Sequence, residues 1–420
     1  MTNTSCATII SAESLTLTAD SGKHCEIPDA SPAPDNSAIQ SSTPGIASVP
    51  SECAHCGNYA ALKCSGCKDI PREENASGHI TLYCNIDCQK SDWPSHRRIC
   101  KHFQAKKLLY RAGDMLQKAW LAYREGSYDS NVIEVDIIGE ALFVYHRNGD
   151  VPRGTQFPFP NHIIDHPRDK QAVLCYSMCF ESLAYMYNVI KDMLQGTCAL
   201  IEEVHVRRMN PSATRLIVMA DSLSGENRTV HGHDMIRATL KNGKVYALDF
   251  TGAQFGIYEP IMLWDDYARK YIAVLGEAYA FGHAKASFAR IVQEKTRGAE
   301  SIMFYNSVTP AFERGLQQWL KYGNMTLQDF MKLPEEQFCM HNGLMWDVLR
   351  HCFREYISLS SKSITEISVN QPAEVTDVDM LDCADLGAEL LQLGVDFEGS
   401  EEGTSAMFRR MAHHGALIYR

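Results

Sequence analysis

One stretch constrains the fold more than any other. Between residues 53 and 100 the chain places Cys53-x2-Cys56, Cys64-x2-Cys67, Cys84-x3-Cys88 and His96-x3-Cys100, seven thiols and one imidazole in four pairs. A segment this short cannot bury enough apolar surface to fold alone. The N-terminus has no basic start and no apolar run, so it does not read as a secretory signal. Clustered cysteines without such a signal read as metal ligands rather than disulfides. Structural zinc takes four sulfur or nitrogen ligands in a tetrahedron, so eight ligands predict two closed sites. Each x2 pair suits a tight knuckle around one metal. Each x3 pair sets its ligands at i and i+4, on one face of a helical turn. The spacing leaves open which pairs share a metal.

The order of the pairs, the dipeptide Tyr83-Cys84 and the run Cys88-Gln89-x3-Trp93-x2-His96-x3-Cys100 resemble the MYND zinc finger. The resemblance implies interleaving. Cys53, Cys56, Cys84 and Cys88 would hold the first zinc, and Cys64, Cys67, His96 and Cys100 the second. It also implies a shallow groove for proline-containing peptides, with Gln89 and Trp93 contributing, and hence protein partners that carry such motifs. An indole face suits a pyrrolidine ring, and a preformed extended peptide loses little entropy on docking. The spacer 68–83 is longer than is usual in the family. Similar spacers occur in filamentous-fungal MYND proteins, which the chain resembles overall. Its polar run PREENASGH predicts a surface loop. Pro94, directly after Trp93, suits a helix start.

Around the finger the sequence divides by composition. Residues 1–50 hold 20 Ser, Thr or Pro, too little apolar surface to offset the entropy of ordering, and read as disordered. Residues 105–360 read as a body domain. Phe103, Leu108, Leu109, Met115, Leu116, Trp120 and Leu121 recur near helical spacing up to Gly126. The stretch 134–145 reads as strand or buried helix, 147–169 as loop, and 172–194 as one buried helix. Short strands are expected at 204–209 and 215–219. The clearest hairpin is His233–Leu240, a Lys-Asn-Gly-Lys turn, and Val245–Phe250. Residues 260–358 read as mostly helical. From residue 365 to the end runs an acidic tail. The 11 acids between Thr365 and Gly403 face no Lys or Arg, and they account for the whole net charge of −11. Asp385 before Leu386, Leu390, Leu391 and Leu393 suggests a short amphipathic helix there. The expected fold is thus a small two-zinc interleaved finger plus a mainly helical α+β body containing a β-hairpin, between a disordered N-terminus and an acidic C-terminal tail.

An acidic chain argues against a general nucleic-acid-coating role, which needs a Lys/Arg excess. A basic face formed by Lys90, Arg97, Arg98, Lys101, Lys106 and Lys107 reads as merely solvated. No window has the 18 or so apolar residues of a membrane helix. The chain reads as intracellular, in cytoplasm or nucleus.

Two enzyme classes bear on the body. Some MYND fingers sit inside SET methyltransferase domains, but here no glycine-rich SET strand precedes the finger. There is also no Cys-x-Cys after the body, and Asn161-His162 lacks the cysteine expected next. The second class is closer. Cys175 and Cys179 lie near the start of a buried helix, His233 opens the hairpin and Asp249 ends it. In that order they resemble transglutaminase- or papain-like cysteine hydrolases and transferases, in which a thiolate, a base and an orienting carboxylate cooperate. The triad expected is Cys175, His233 and Asp249, with His231 as a rival for His233. Cys179 lies one turn further in, where packing calls for a small residue. Hairpin register decides the geometry. A two-residue Asn242-Gly243 loop puts His233 and Asp249 on opposite faces; a three-residue loop with a glycine bulge puts them on one. The more conservative reading is a structural hairpin and two cysteines that serve as small core residues. On balance the sequence points to an adaptor or regulatory protein rather than an enzyme.

Overall fold

The computed structural model describes residues 52–67, 81–139, 141–147, 155–210, 216–221, 232–296 and 298–367, all within one compact unit, 49–420. The segment 1–50, most of the polar spacer, His231 and the acidic tail with its expected helix lie outside the described residues.

In the finger, β1 (Leu62–Lys63) pairs antiparallel with β2 (Leu82–Tyr83). Helix α1 (Ile86–Gly126) follows and runs for 41 residues. Asn85 starts it. Its backbone is extended and its side chain accepts from the Cys88 N–H at 2.8 Å, which satisfies one donor that a helix start leaves free. This corrects the expected helix start at Pro94. The cap at Asn85 sets the boundary eight residues earlier than the proline would, and Pro94 is carried inside the helix at an exposed position. The finger's last three ligands and the body's central helix are therefore one element.

Beyond α1 come β3 (Val132–Ile138) and β4 (Ala141–His146), then α2 (Pro167–Cys175), α3 (Cys179–Tyr185) and α4 (Tyr187–Leu194). The single buried helix expected over 172–194 is thus broken twice. Ser177, at φ +54°, interrupts it, and its N–H donates to Gln254 Oε1 at 3.0 Å instead of to a helical carbonyl. Strands β5 (Cys198–Met209), β6 (Leu216–Asp221), β7 (His233–Leu240), β8 (Val245–Leu248) and β9 (Ile261–Leu263) follow. Then come α5 (Trp264–Tyr271), β10 (Ile272–Ala280), α6 (His283–Gln293), α7 (Ala299–Tyr322), α8 (Leu327–Phe330) and α9 (Glu335–Ile367). Residues 260–358 are mostly helical, as expected, but β9 and β10 interrupt the pattern. The run Ile272-Ala-Val-Leu-Gly lacks the alternation that marks a half-buried strand.

Five strands form an antiparallel sheet in the order β10-β5-β7-β8-β9, and β3-β4-β6 form a smaller mixed one. The β7–β8 hairpin pairs Thr239 with Val245 and Ile236 with Leu248. Leu240 N–H donates to Lys244 O at 2.8 Å, so Lys241, Asn242 and Gly243 form a three-residue loop. Gly243 sits at φ +86°, a conformation glycine adopts without cost. Of the two registers open to the sequence, the chain adopts the one that puts His233 and Asp249 on the same face.

The core surrounds the C-terminal half of α1. Tyr123 stacks on Phe353 of α9 at 5.1 Å and meets Phe312 of α7 edge-on at 5.4 Å, with Trp120 stacked at 5.8 Å. Gly126 permits this approach, because a Cβ there would lie 2.7 Å from Phe353 Cδ1. Next to it, the buried Glu125 carboxylate binds Arg354 at 2.8 Å, Lys170 at 3.0 Å and Arg350 at 3.4 Å.

Candidate metal centre and the hairpin cluster

Four finger segments bring the eight ligands together. Cys53 and Cys56 lie on the first knuckle, where Gly57 N–H donates to Cys53 O at 2.9 Å. Cys64 precedes, and Cys67 ends, a 3-10 turn at Ser65–Cys67. Cys84 follows β2, and Cys88, His96 and Cys100 lie on α1. Gly66 packs so closely that an added Cβ would fall against the Cys100 sulfur.

The ligand atoms form two groups, Cys53, Cys56, Cys84 and Cys88, and Cys64, Cys67, His96 and Cys100. Within each group they lie within 4.8 Å of one another. The pairs interleave. In the first group Cys56 Sγ is 3.6 Å from Cys84 Sγ, and Cys84 Sγ is 3.4 Å from Cys88 Sγ. In the second, Cys64 and Cys100 sulfurs are 3.8 Å apart, and Cys67 Sγ is 3.2 Å from His96 Nε2. Zinc–sulfur bonds of about 2.3 Å arranged tetrahedrally give sulfur–sulfur edges of about 3.8 Å. The spacing, donor chemistry and ligand count therefore fit one Zn²⁺ per group. Without a cation the Cys88 thiol is pushed up to about 12, most of all by the Cys84 sulfur, whereas at Cys53 burial is outweighed by hydrogen bonds from the Cys56 and Cys84 backbone, which lower it to about 6. A bound divalent ion reverses that balance and holds the thiolates.

His96 is fixed by its neighbours. Tyr83, fully buried, meets its ring edge-on at 6.1 Å and donates its hydroxyl to Asp92 Oδ2 at 2.7 Å. Trp93 tilts against the same ring at 6.2 Å while remaining 40 % exposed. Gln89, half-buried, lies one helical turn before Trp93, and Ile86 at the helix start is 60 % exposed. The basic face is smaller than the sequence suggested. Lys106 is buried over the Tyr110 ring, and Lys107 pairs with Glu335 at 3.2 Å.

In the body, the structure brings His233 and Asp249 together and turns Cys175 away. His233 Nε2 lies 2.8 Å from Asp249 Oδ1. Tyr267 donates its hydroxyl to Asp249 Oδ2 at 2.6 Å, and the Thr251 N–H reaches Oδ1 at 3.3 Å. Burial pulls the His233 pKa down, but Asp249 and Cys179 outweigh it, and the value is pushed up to about 10. The Cys175 thiol points instead to Phe250 O at 3.9 Å, and burial raises its pKa far above the usual range. Burial raises the Cys179 thiol, with the nearby His233 opposing that rise, and His233 Nδ1 itself makes no hydrogen bond. The break at Ser177 is the physical reason that Cys175 turns away. It starts α3 at Cys179, so the second cysteine faces the hairpin and the first packs behind it. Tyr267 was not legible in advance, because α5 meets Asp249 only through the tertiary fold. The same holds for Asp234, whose carboxylate accepts from the Cys179 thiol at 3.6 Å and pairs with His205 at 2.9 Å.

Residues 53–100 match the MYND finger family. The same region is similar to Tudor domain-containing protein 1 of Oryzias latipes, 39 % identical over 51 residues, and to that of Mus musculus, 38 % identical over 52 residues. Each match covers 12 % of this chain and 4 % of the relative, so the likeness is confined to the finger. No solved structure matches the chain. The finger is a two-zinc MYND module, a class of protein–protein interaction domain. Among the described residues no helix is long and apolar enough to cross a membrane.

Proposed function

We propose that the protein is an adaptor or regulatory protein whose finger docks proline-containing peptides of its partners against Gln89 and Trp93. The observation that carries this reading is the indole of Trp93, which stays 40 % exposed although it sits beside a buried zinc ligand. A large aromatic left at the surface of a small metal-stapled module is suited to stacking on a proline ring. Gln89, one turn away on α1, offers amide donors and an acceptor for the peptide backbone. The neighbouring Ile86 extends the apolar strip.

Binding of a panel of proline-rich peptides, followed by calorimetry on the whole protein, tests the reading. Trp93→Ala weakens the best peptide by about 1–3 kcal/mol, with both zinc ions retained. Loss of zinc in that variant, or unchanged affinity, would remove the groove.

A further inference from the structure

We propose that the finger of one copy binds residues 372–382 of a second copy, with Pro372 on Trp93 and the acids that follow it on the basic end of the same helix face. This rests on the groove reading above and names an occupant for that groove.

The finger supplies the first observation. At 3.6 residues per turn, Ile86, Lys90, Trp93, Arg97 and Lys101 fall in one row along α1, within about 80° of one another. All five are exposed. Apolar and cationic residues alternate up to Trp93, and beyond it the row is cationic. Further along α1 the body takes up the cations, since Lys106 is buried and Lys107 pairs with Glu335. Lys90, Arg97 and Lys101 make no ion pair among the described residues. Asp92, the acid nearest Trp93, is held by the Tyr83 and Ser95 hydroxyls, and Asp87 lies outside the row.

The chain supplies the matching segment. Residues 372–382 read Pro-Ala-Glu-Val-Thr-Asp-Val-Asp-Met-Leu-Asp, one proline followed by four acids and no cation. No other proline of the chain has four acids in the ten residues after it. The spacing also matches. At about 3.3 Å per residue for an extended peptide and about 1.5 Å for a helix, Pro372 to Glu374 is about 7 Å and Trp93 to Arg97 about 6 Å. Asp377 then falls within side-chain reach of Lys101.

The third observation says which copy supplies the segment. Arg111 binds Glu335, Asn342 binds Asp114 and Arg354 binds Glu125, so α9 runs parallel to α1 and its end at Ile367 points away from the finger. Trp93 lies about 48 Å back along α1 from Glu125, and Ile367 about 20 Å beyond Arg354. The five residues from Ile367 to Pro372 span at most about 18 Å. Pro372 therefore cannot reach the groove of its own chain, whereas it is free to reach that of another. The two surfaces that meet are different, so copies add head to tail.

Sedimentation velocity of the full-length zinc-loaded protein tests this. The expected result is a sedimentation coefficient that rises across a hundredfold range of concentration and returns to the monomer value in high salt, because exposed charge pairs are screened. Two variants then disable one half of the contact each: Arg97→Ala with Lys101→Ala on the finger, and Asp377→Asn with Asp379→Asn on the tail. Each alone associates at least tenfold more weakly than the parent, with its zinc retained. Mixing the two restores a complex that stops at two chains, since only one intact finger and one intact tail can meet. Adding Trp93→Ala to the tail variant abolishes that mixed complex. A chain that is monomeric at every concentration, or that associates equally in both variants, overturns the proposal. If such a chain still binds proline-rich peptides through Trp93, the groove reading stands without it. A mixed complex that survives Trp93→Ala overturns the groove reading and, with it, the seat given to Pro372.

Discussion

In the finger the buried groups are mostly ligands: Cys53, Cys64, Cys67, His96 and Cys100 lie inside with Tyr83 and Ala60. In the body they are rings and aliphatic chains, with Trp120, Tyr123, Phe312 and Phe353 in contact. Both regions use α1, which carries His96 and Cys100 at one end and Trp120 and Tyr123 at the other. One helix therefore draws on two sources of stability. Metal coordination fixes the first part, at roughly 10–16 kcal/mol per structural zinc. Apolar burial fixes the second, spread over many contacts.

Removing the metal breaks this comparison most sharply. Chelation, or Cys64→Ser, unfolds the finger and strips hydrogen-exchange protection from the amides of 86–100. The amides of 109–123 stay protected, because Leu109, Leu116 and Trp120 are buried without help from zinc. Loss of protection along all of α1 would show that the body depends on the finger. The converse change is Trp120→Ala. It leaves a cavity in the body core and costs about 3–5 kcal/mol in denaturant unfolding, with zinc content unchanged.

A smaller effect separates the two regions by pH. Burial raises the Glu125 carboxyl, but Lys170, Arg350 and Arg354 lower it by more, so its folded pKa lies below the ordinary value. A depressed carboxylate gives stability that is present at neutral pH and is lost as the pH falls below about 4.3 and through the folded pKa. Glu125→Gln removes that part of the acid dependence and costs about 1.5–3 kcal/mol at pH 7. Thermal unfolding of both proteins across pH 3–7 measures it. An unchanged acid limb in Glu125→Gln would assign the dependence to other carboxylates.

The same contrast explains what could be read from the sequence. Zinc specifies ligand type, number and local spacing, and all three are printed in the chain, so the eight ligands are legible residue by residue. Even there, the pairing came from family resemblance, since spacing alone does not say which knuckle shares a metal with which helical turn. The body is different. The hairpin was legible from Asn242-Gly243 between β-rich runs, but its register was not, because both loop lengths suit the same residues. The sequence favours Cys175 because, on a buried helix over 172–194, Cys179 lies one turn further in, where packing calls for a small residue. The break depends on Ser177 at positive φ and on Gln254, a residue 77 positions away, accepting its N–H. Tyr267 and Glu125 gain their partners from elements distant in sequence, and no local pattern announces such contacts.

The central claim is that eight side chains hold two zinc ions in interleaved sites. Elemental analysis of protein purified without chelator measures this directly. The account predicts close to two zinc per chain, falling when any one of the eight ligands is replaced. A well-folded protein with one zinc or none would contradict it.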